Sequence, residues 1–332
     1  MRHCGRGFSP DAAAFTIFRA VVPLNNTQAL PPLAIPAQRA QNRLSTSNPV
    51  IPMLRIATLA AALVLASACT PTPVRTDALP AANASASLDA AIAGNWRDSK
   101  NSSRDRYRHP RETLLFFGVK PGQTVIEITP GSGWYSEILA PYLRDNGRYI
   151  AAVVDPAAAA AGRSRDYQQK TKTDLETKYR SGPAQFDRVQ VVGYDPKAPR
   201  FGAASSADVV LTFRNVHNWR MAGQAEGMFK GFYEVLKPGG TLGVVEHRAN
   251  ADVPADDKSG YVDQAQVIAM AQAAGFTLAD SAEINANPLD TKDYADGVWT
   301  LPPVLRLKDK DREKFLAIGE SDRMTLRFVK QR

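Results

Sequence analysis

Cysteine and histidine are nearly absent from this chain. Its 332 residues hold two cysteines, Cys4 and Cys69, and four histidines, His3, His109, His217 and His247. Two cysteines cannot build a disulfide framework, and no cysteine–histidine spacing of a zinc site occurs, so no metal centre is expected. No internal repeat is visible, which excludes a solenoid. An excess of one charge sign is lacking as well, once its location is considered. The formal charge is +8, but six arginines and a single acid fall in residues 1–68, leaving 35 bases against 32 acids in the rest. No RNA- or DNA-binding motif accompanies the surplus, so nucleic acid is not expected as a partner.

What the first third does contain is a leader. From Met53 the chain reads MLRIATLAAALVLASACT: one arginine, an apolar run from Ile56 to Leu65, then small residues. That order marks a secretory signal, and the run is too short to span a bilayer as a stable helix. Ala66-Ser67-Ala68-Cys69 resembles the lipobox of bacterial lipoproteins, in which the cysteine becomes the lipidated first residue. A plain cut after Ala68 is the other reading. Residues 1–52 carry no period and are expected to be a non-native, disordered upstream extension, with Met53 as the working start. Residues 53–69 form the signal, and residues 70–87, rich in Pro, Ala, Ser and Thr, read as a flexible linker. The expected location is the periplasmic face, with membrane contact only through a lipid at Cys69; retention in the cytoplasm is the alternative.

Residues 88–332 have a globular pattern. Strand-like runs recur at 124–129, 148–154, 188–194, 208–213 and 241–247. Helical patterns at 134–146, 157–181 and 225–240 fill most of the gaps, with others at 109–119 and 261–275. Nearly continuous apolar strands alternating with helices predict a mostly parallel sheet covered on both faces. Two further strands, 276–284 and 322–330, predict an antiparallel hairpin at the sheet edge.

The stretch VIEITPGSGWYSEILAPYL, Val125 to Leu143, runs from the first strand through a glycine turn into a helix. In open parallel sheets such a turn meets the ligand. Gly131-Ser132-Gly133-Trp134-Tyr135-Ser136 lacks the third glycine of a dinucleotide fingerprint. Glu127 repels a pyrophosphate and attracts an ammonium or sulfonium. The turn therefore favours a cationic ligand without phosphate, and a nicotinamide-dependent oxidoreductase ranks low.

These residues resemble the first motif of class I S-adenosylmethionine-dependent methyltransferases, an acidic residue followed by x-x-x-G-x-G. The resemblance covers residues 88–332, and the chain is similar to a bacterial group of exported predicted methyltransferases that share R-x-P-R-E and PGSGWY-like stretches. It implies a Rossmann-like α/β fold, S-adenosyl-L-methionine as cofactor and methyl transfer to a small-molecule acceptor. Glu127, Thr129, Pro130, Gly131, Ser132 and Gly133 match the cofactor turn. Asp155 matches the acid that holds the ribose hydroxyls, and it also suits a helix cap. Asp195 matches the adenine border, and Asn215, in the segment after the fourth strand, is counted with the cofactor-binding residues. LKPGG before the fifth strand is a further family feature.

Arg214-Asn215-Val216-His217-Asn218-Trp219 resembles the H-D-W motif of small-molecule O-methyltransferases, which implies His217 as general base and Glu246 as its orienting acid. His217 packing beside the cofactor is the alternative. His109 and His247 are set aside, since His247 is expected to point away from Glu246 along the strand. Residues 285–321 read as a substrate-covering lid or a packing elaboration, and the arginines of RDRYRHPRE (104–112) as a solvated basic face, with contact to an acidic substrate or the cofactor carboxylate as the alternative. An export leader sits uneasily with a cytoplasmic cofactor. The competing function is a catalytically inactive envelope protein that binds a ligand or partner with a methyltransferase fold.

Overall fold

Seven strands form one sheet in the order β3-β2-β1-β4-β5-β7-β6 in a computed structural model that describes residues 81–332 apart from 183 and 255. They are β1 (Thr124–Ile128), β2 (Arg148–Val154), β3 (Gln190–Tyr194), β4 (Ala207–Phe213), β5 (Leu236–His247), β6 (Phe276–Ala282) and β7 (Arg323–Lys330). The pairs β1–β2, β2–β3, β1–β4 and β4–β5 are parallel, whereas β7 runs antiparallel to both β5 and β6. This is the Rossmann-like, class I methyltransferase sheet the sequence predicts. The leader, the lipobox-like end and the first part of the linker lie outside the described residues. Helix Ala81–Ile92 begins inside the stretch read as linker and buries Leu88 and Ala91, so helical structure starts before Leu88.

Burial on both faces follows from the uninterrupted apolar strands. Side chains alternate along a strand, so Ile126 and Ile128 of β1 enter one core with Phe229, Phe232 and Leu326, while Val125 enters the other with Ile138, Leu139 and Leu211. Glu127 shares the face of Val125, and that parity directs its carboxylate toward the helix Ser136–Leu143.

Three elements depart from the sequence reading. Lys237-Pro238-Gly239-Gly240 ends the helix Ala225–Val235, as expected, but also belongs to β5. The register shifts there between Ala207↔Leu236 and Val209↔Thr241, a bulge that accommodates a proline unable to donate to the ladder. The long helical pattern 157–181 divides at Gly162 (φ +80°), leaving a short 3-10 turn, Pro156–Ala158, and a helix, Arg163–Ser181. The two last strands do pair antiparallel, yet β7 inserts between β5 and β6 and is buried, leaving β6 as the edge. Among the described residues no helix is long and apolar enough to cross a membrane.

Candidate ligand cleft and the buried His–Glu pair

The carboxyl ends of β1 to β4 open into a cleft of about 740 Å³. Strand order reverses between β1 and β4, so the loops leaving these two strands diverge and create the crevice. Its floor includes Glu127, Thr129, Pro130, Gly131 and Ser132, and Asn215 lies across from them. Five of the six residues of the expected turn therefore line this cleft. Gly133 stands behind the turn, where an added Cβ would meet Leu175 at 3.1 Å and Ser136 at 3.2 Å. Gly131 faces open space at φ +61°, a backbone shape that favours glycine, so its bare peptide forms part of the cradle.

Glu127 is 3% exposed and belongs to a hydroxyl network. The Tyr149 hydroxyl donates to its Oε2 at 2.6 Å, Ser136 Oγ lies 2.7 Å from that hydroxyl, and the Tyr179 hydroxyl donates to Ser136 at 2.8 Å. Burial raises the Glu127 pKa to about 7, against the hydrogen bonds from Tyr149 and Ser136 and the charges of Arg214 and Lys178. Sequence reasoning found Glu127 but missed the tyrosines, which come from β2 and a distant helix.

Thr129 adopts a left-handed conformation at φ +51°, unusual for a β-branched residue. Its N–H donates to Ala152 at 2.7 Å and its hydroxyl bonds the Tyr194 hydroxyl at 2.8 Å, anchoring the turn to β2 and β3. Asn215 donates its amide to the Ile128 carbonyl at 3.0 Å and to Thr212 Oγ1 at 3.2 Å, tying the ends of β1 and β4 together.

The two aspartates sit at the rim. Asp155 follows β2 and accepts the Ala157 N–H at 2.9 Å, and Asp195 follows β3 and accepts the Lys197 N–H at 2.8 Å. Each carboxylate thus caps its own loop, while the adjoining Val154, Ala158, Tyr194 and Pro196 line the cleft. The capping geometry considered for Asp155 is the one present.

His217 and Glu246 do come together. His217 Nδ1 lies 3.0 Å from Glu246 Oε1, and Glu246 Oε2 accepts the Val216 and His217 N–H groups at 2.6 and 3.3 Å. The pair is 6% and 0% exposed and stands outside the residues lining the cleft. His247 corrects an expectation: its ring lies near His217, with centroids 5.3 Å apart, one of its ring nitrogens is within 4.8 Å of a His217 ring nitrogen and a Glu246 carboxylate oxygen, and its Nδ1 bonds Ser321 Oγ at 2.5 Å. Burial, followed by His217 and Arg214, holds His247 well below the usual histidine range, so it is neutral at pH 7. Trp299, from the 285–321 segment, lies against His217 at 6.1 Å. That segment is largely packing: Asp290 accepts from Tyr261 at 2.8 Å and from the Asp322 N–H at 2.8 Å, and Pro303 reaches the cleft wall.

The arginines before the sheet are the clearest correction. Arg108 is 3% exposed, and Arg104 and Arg108 line the cleft together with Arg214. Arg108 lies over the Trp134 ring at 4.8 Å and bonds Glu320, more than two hundred residues away in sequence. No local pattern signals that pairing.

No family model matches the chain, and no curated protein matches it. Among solved structures, it is similar to a SAM dependent methyltransferase from Aquifex aeolicus, at 16% identity over 60% of this chain and 93% of that one, with a TM-score of 0.44. It is also similar to the [4+2]-cyclase SpnF, at 15% identity over 75% and 94%, with a TM-score of 0.48. A possible exported protein from Bordetella parapertussis aligns at 17% identity over 69% and 68%, with a TM-score of 0.40. The fold assignment itself rests on the strand order and register.

Proposed function

We propose that this chain is an S-adenosylmethionine-dependent methyltransferase acting on a small molecule. The observation that carries the reading is Glu127: a buried carboxylate on the floor of the cleft, beside a glycine turn with positive φ at Gly131 and Gly133. The residues suit the cofactor. A desolvated carboxylate with a pKa near 7 gains most from a cationic ligand and would oppose a pyrophosphate. Glu127 would hold the methionine ammonium, the Gly131–Gly133 backbone the adjoining chain, and the rim carrying Asp155 and Asp195 the ribose and adenine. Bound there, the cofactor supplies a methyl on a positively charged sulfur, so that an acceptor lone pair bonds to carbon while the carbon–sulfur pair stays on sulfur.

The chain's own contribution is placement and, in this proposal, proton removal. Glu246 fixes the imidazole with Nδ1–H toward the carboxylate, which leaves Nε2 of His217 as the basic atom. General base catalysis contributes about 10²–10⁴-fold. His217→Ala is expected to lower kcat by that order with little change in cofactor affinity, and Glu246→Gln by less.

One observation favours the binding-only alternative: the His217–Glu246 pair is buried away from the cleft lining. Titration calorimetry of the full chain with S-adenosylmethionine and S-adenosylhomocysteine tests the cofactor. Micromolar binding lost in Glu127→Ala supports the proposal, and no binding by a folded chain sinks it. If the cofactor binds but no acceptor yields S-adenosylhomocysteine, the envelope binding protein is the better account. The proposal places the chain outside the cytoplasm, lipidated at Cys69.

A further inference from the structure

Four guanidinium groups gather around one carboxylate at the β4 and β7 side of the cleft. Glu320 is 3% exposed. Its Oε1 accepts Arg104 Nε at 2.6 Å, and its Oε2 accepts Arg108 Nε at 3.2 Å and Arg323 Nη1 at 3.1 Å. Burial by itself raises the Glu320 pKa. Arg323, Arg108, Arg214 and Arg104 outweigh it and bring the value down to about 2. Glu246 and Glu127 also act on Arg214, while Glu320 is the carboxylate that Arg104, Arg108 and Arg323 share.

The guanidinium donors around Glu320 are unevenly used. Arg323 is spent within the protein, on the Ser321 carbonyl at 3.2 Å, on Glu320 and on the Tyr107 carbonyl at 2.6 Å. Arg104 Nη2 and Arg108 Nη2 are buried with no hydrogen-bond partner among the described residues. Arg214, held at φ +62° at the end of β4, makes no ion pair among them. These three arginines line the cleft. A buried guanidinium donor with an unmade bond is unfavourable, and an oxyanion in reach would relieve it through charge-assisted, bidentate bonds. The cofactor's own carboxylate is the competing occupant, because Glu127 would take the ammonium beside it and the charge of Arg214 reaches Glu127; a loss of S-adenosylmethionine affinity in Arg214→Gln would report it. Tyr135 and Phe213, stacked with centroids 3.6 Å apart, border the same region and offer an apolar wall.

We infer that the methyl acceptor is a small soluble anion, bearing a carboxylate or phosphate that Arg104, Arg108 and Arg214 receive. This rests on the methyltransferase reading for the word acceptor, though not for the anion site.

The test is calorimetric titration of the full chain with phenyl phosphate, benzyl alcohol and S-adenosylmethionine, each in wild type and in Arg214→Gln, with Arg108→Gln as a second variant. Thermal midpoints check that each variant folds. Phenyl phosphate is expected to bind the wild type and benzyl alcohol not to. Arg214→Gln is expected to weaken phenyl phosphate at least tenfold while S-adenosylmethionine changes less than twofold. A wild type that binds S-adenosylmethionine but not phenyl phosphate overturns the anionic acceptor and leaves the methyltransferase reading intact. Equal weakening of both ligands by Arg214→Gln also overturns it, by giving the arginines to the cofactor. Phenyl phosphate binding that depends on Arg214, in a chain that ignores S-adenosylmethionine, supports the anion site and removes the methyltransferase.

Discussion

Glu127 illustrates how a single side chain couples ligand binding to pH. Its pKa in the fold, about 7, lies above that of an unfolded chain. The folded state therefore binds the extra proton between pH 4.5 and 7. The stability this contributes is fully present below the unfolded pKa and is lost as pH rises through the folded one, on the order of 3 kcal/mol in total. Glu127→Gln is expected to flatten this part of the pH–stability profile, read by thermal melts from pH 5 to 8. A cationic ligand prefers the ionised form, so S-adenosylmethionine affinity should rise by up to about tenfold per pH unit below 7 and then level off. The same scale governs Gly131. Gly131→Ala would place a methyl in the cleft at φ +61°, costing about 1 kcal/mol of stability and weakening the cofactor further.

At the level of elements, the cleft depends on the spacing of β1 and β4, and one amide fixes it. Asn215→Ala leaves the Ile128 carbonyl and Thr212 hydroxyl without their partner, and is expected to cost about 1–3 kcal/mol in denaturant titration. Gly243 in β5 shows how closely a strand and its covering helix meet. An added Cβ there would stand 2.7 Å from the Phe117 ring and 2.8 Å from Leu211. Overpacking of this kind costs about 1–3 kcal/mol, so Gly243→Ala should lower the thermal midpoint with no change in the phenyl phosphate Kd measured well below it. Strand identities were legible in the sequence because buried parallel strands are continuous apolar runs, as in RYIAAVV. The place of β7 was not: TLRFVK reads equally well at an edge or inside, and its insertion depends on which neighbours bury it.

For the whole molecule, charge is unevenly distributed. Much of the formal surplus lies in residues 1–68, while in the described part Arg104, Arg108 and Arg214 line the cleft. The proposed lipid at Cys69 makes a separate claim about location. Cys69→Ala is expected to abolish labelling by a radioactive fatty acid and shift the protein from the membrane to the soluble fraction; labelling that persists in the variant would defeat the lipid-anchor reading.

Local order determined a great deal. The alternation of apolar strands and helices, and an acid placed two residues before a Thr-Pro-Gly-Ser-Gly turn, were enough to specify the sheet and the turn that lines the cleft, because both follow from periodicity and backbone freedom along the chain. Tertiary structure decided what those residues touch. It set Tyr149 and Tyr179 around Glu127, brought His247 near His217, put the His217–Glu246 pair outside the cleft lining, and drew Arg104 and Arg108 under the sheet end to meet Glu320. Burial and electrostatic pairing act through space between segments remote in sequence, and a run of arginines looks the same in sequence whether water or a carboxylate receives it.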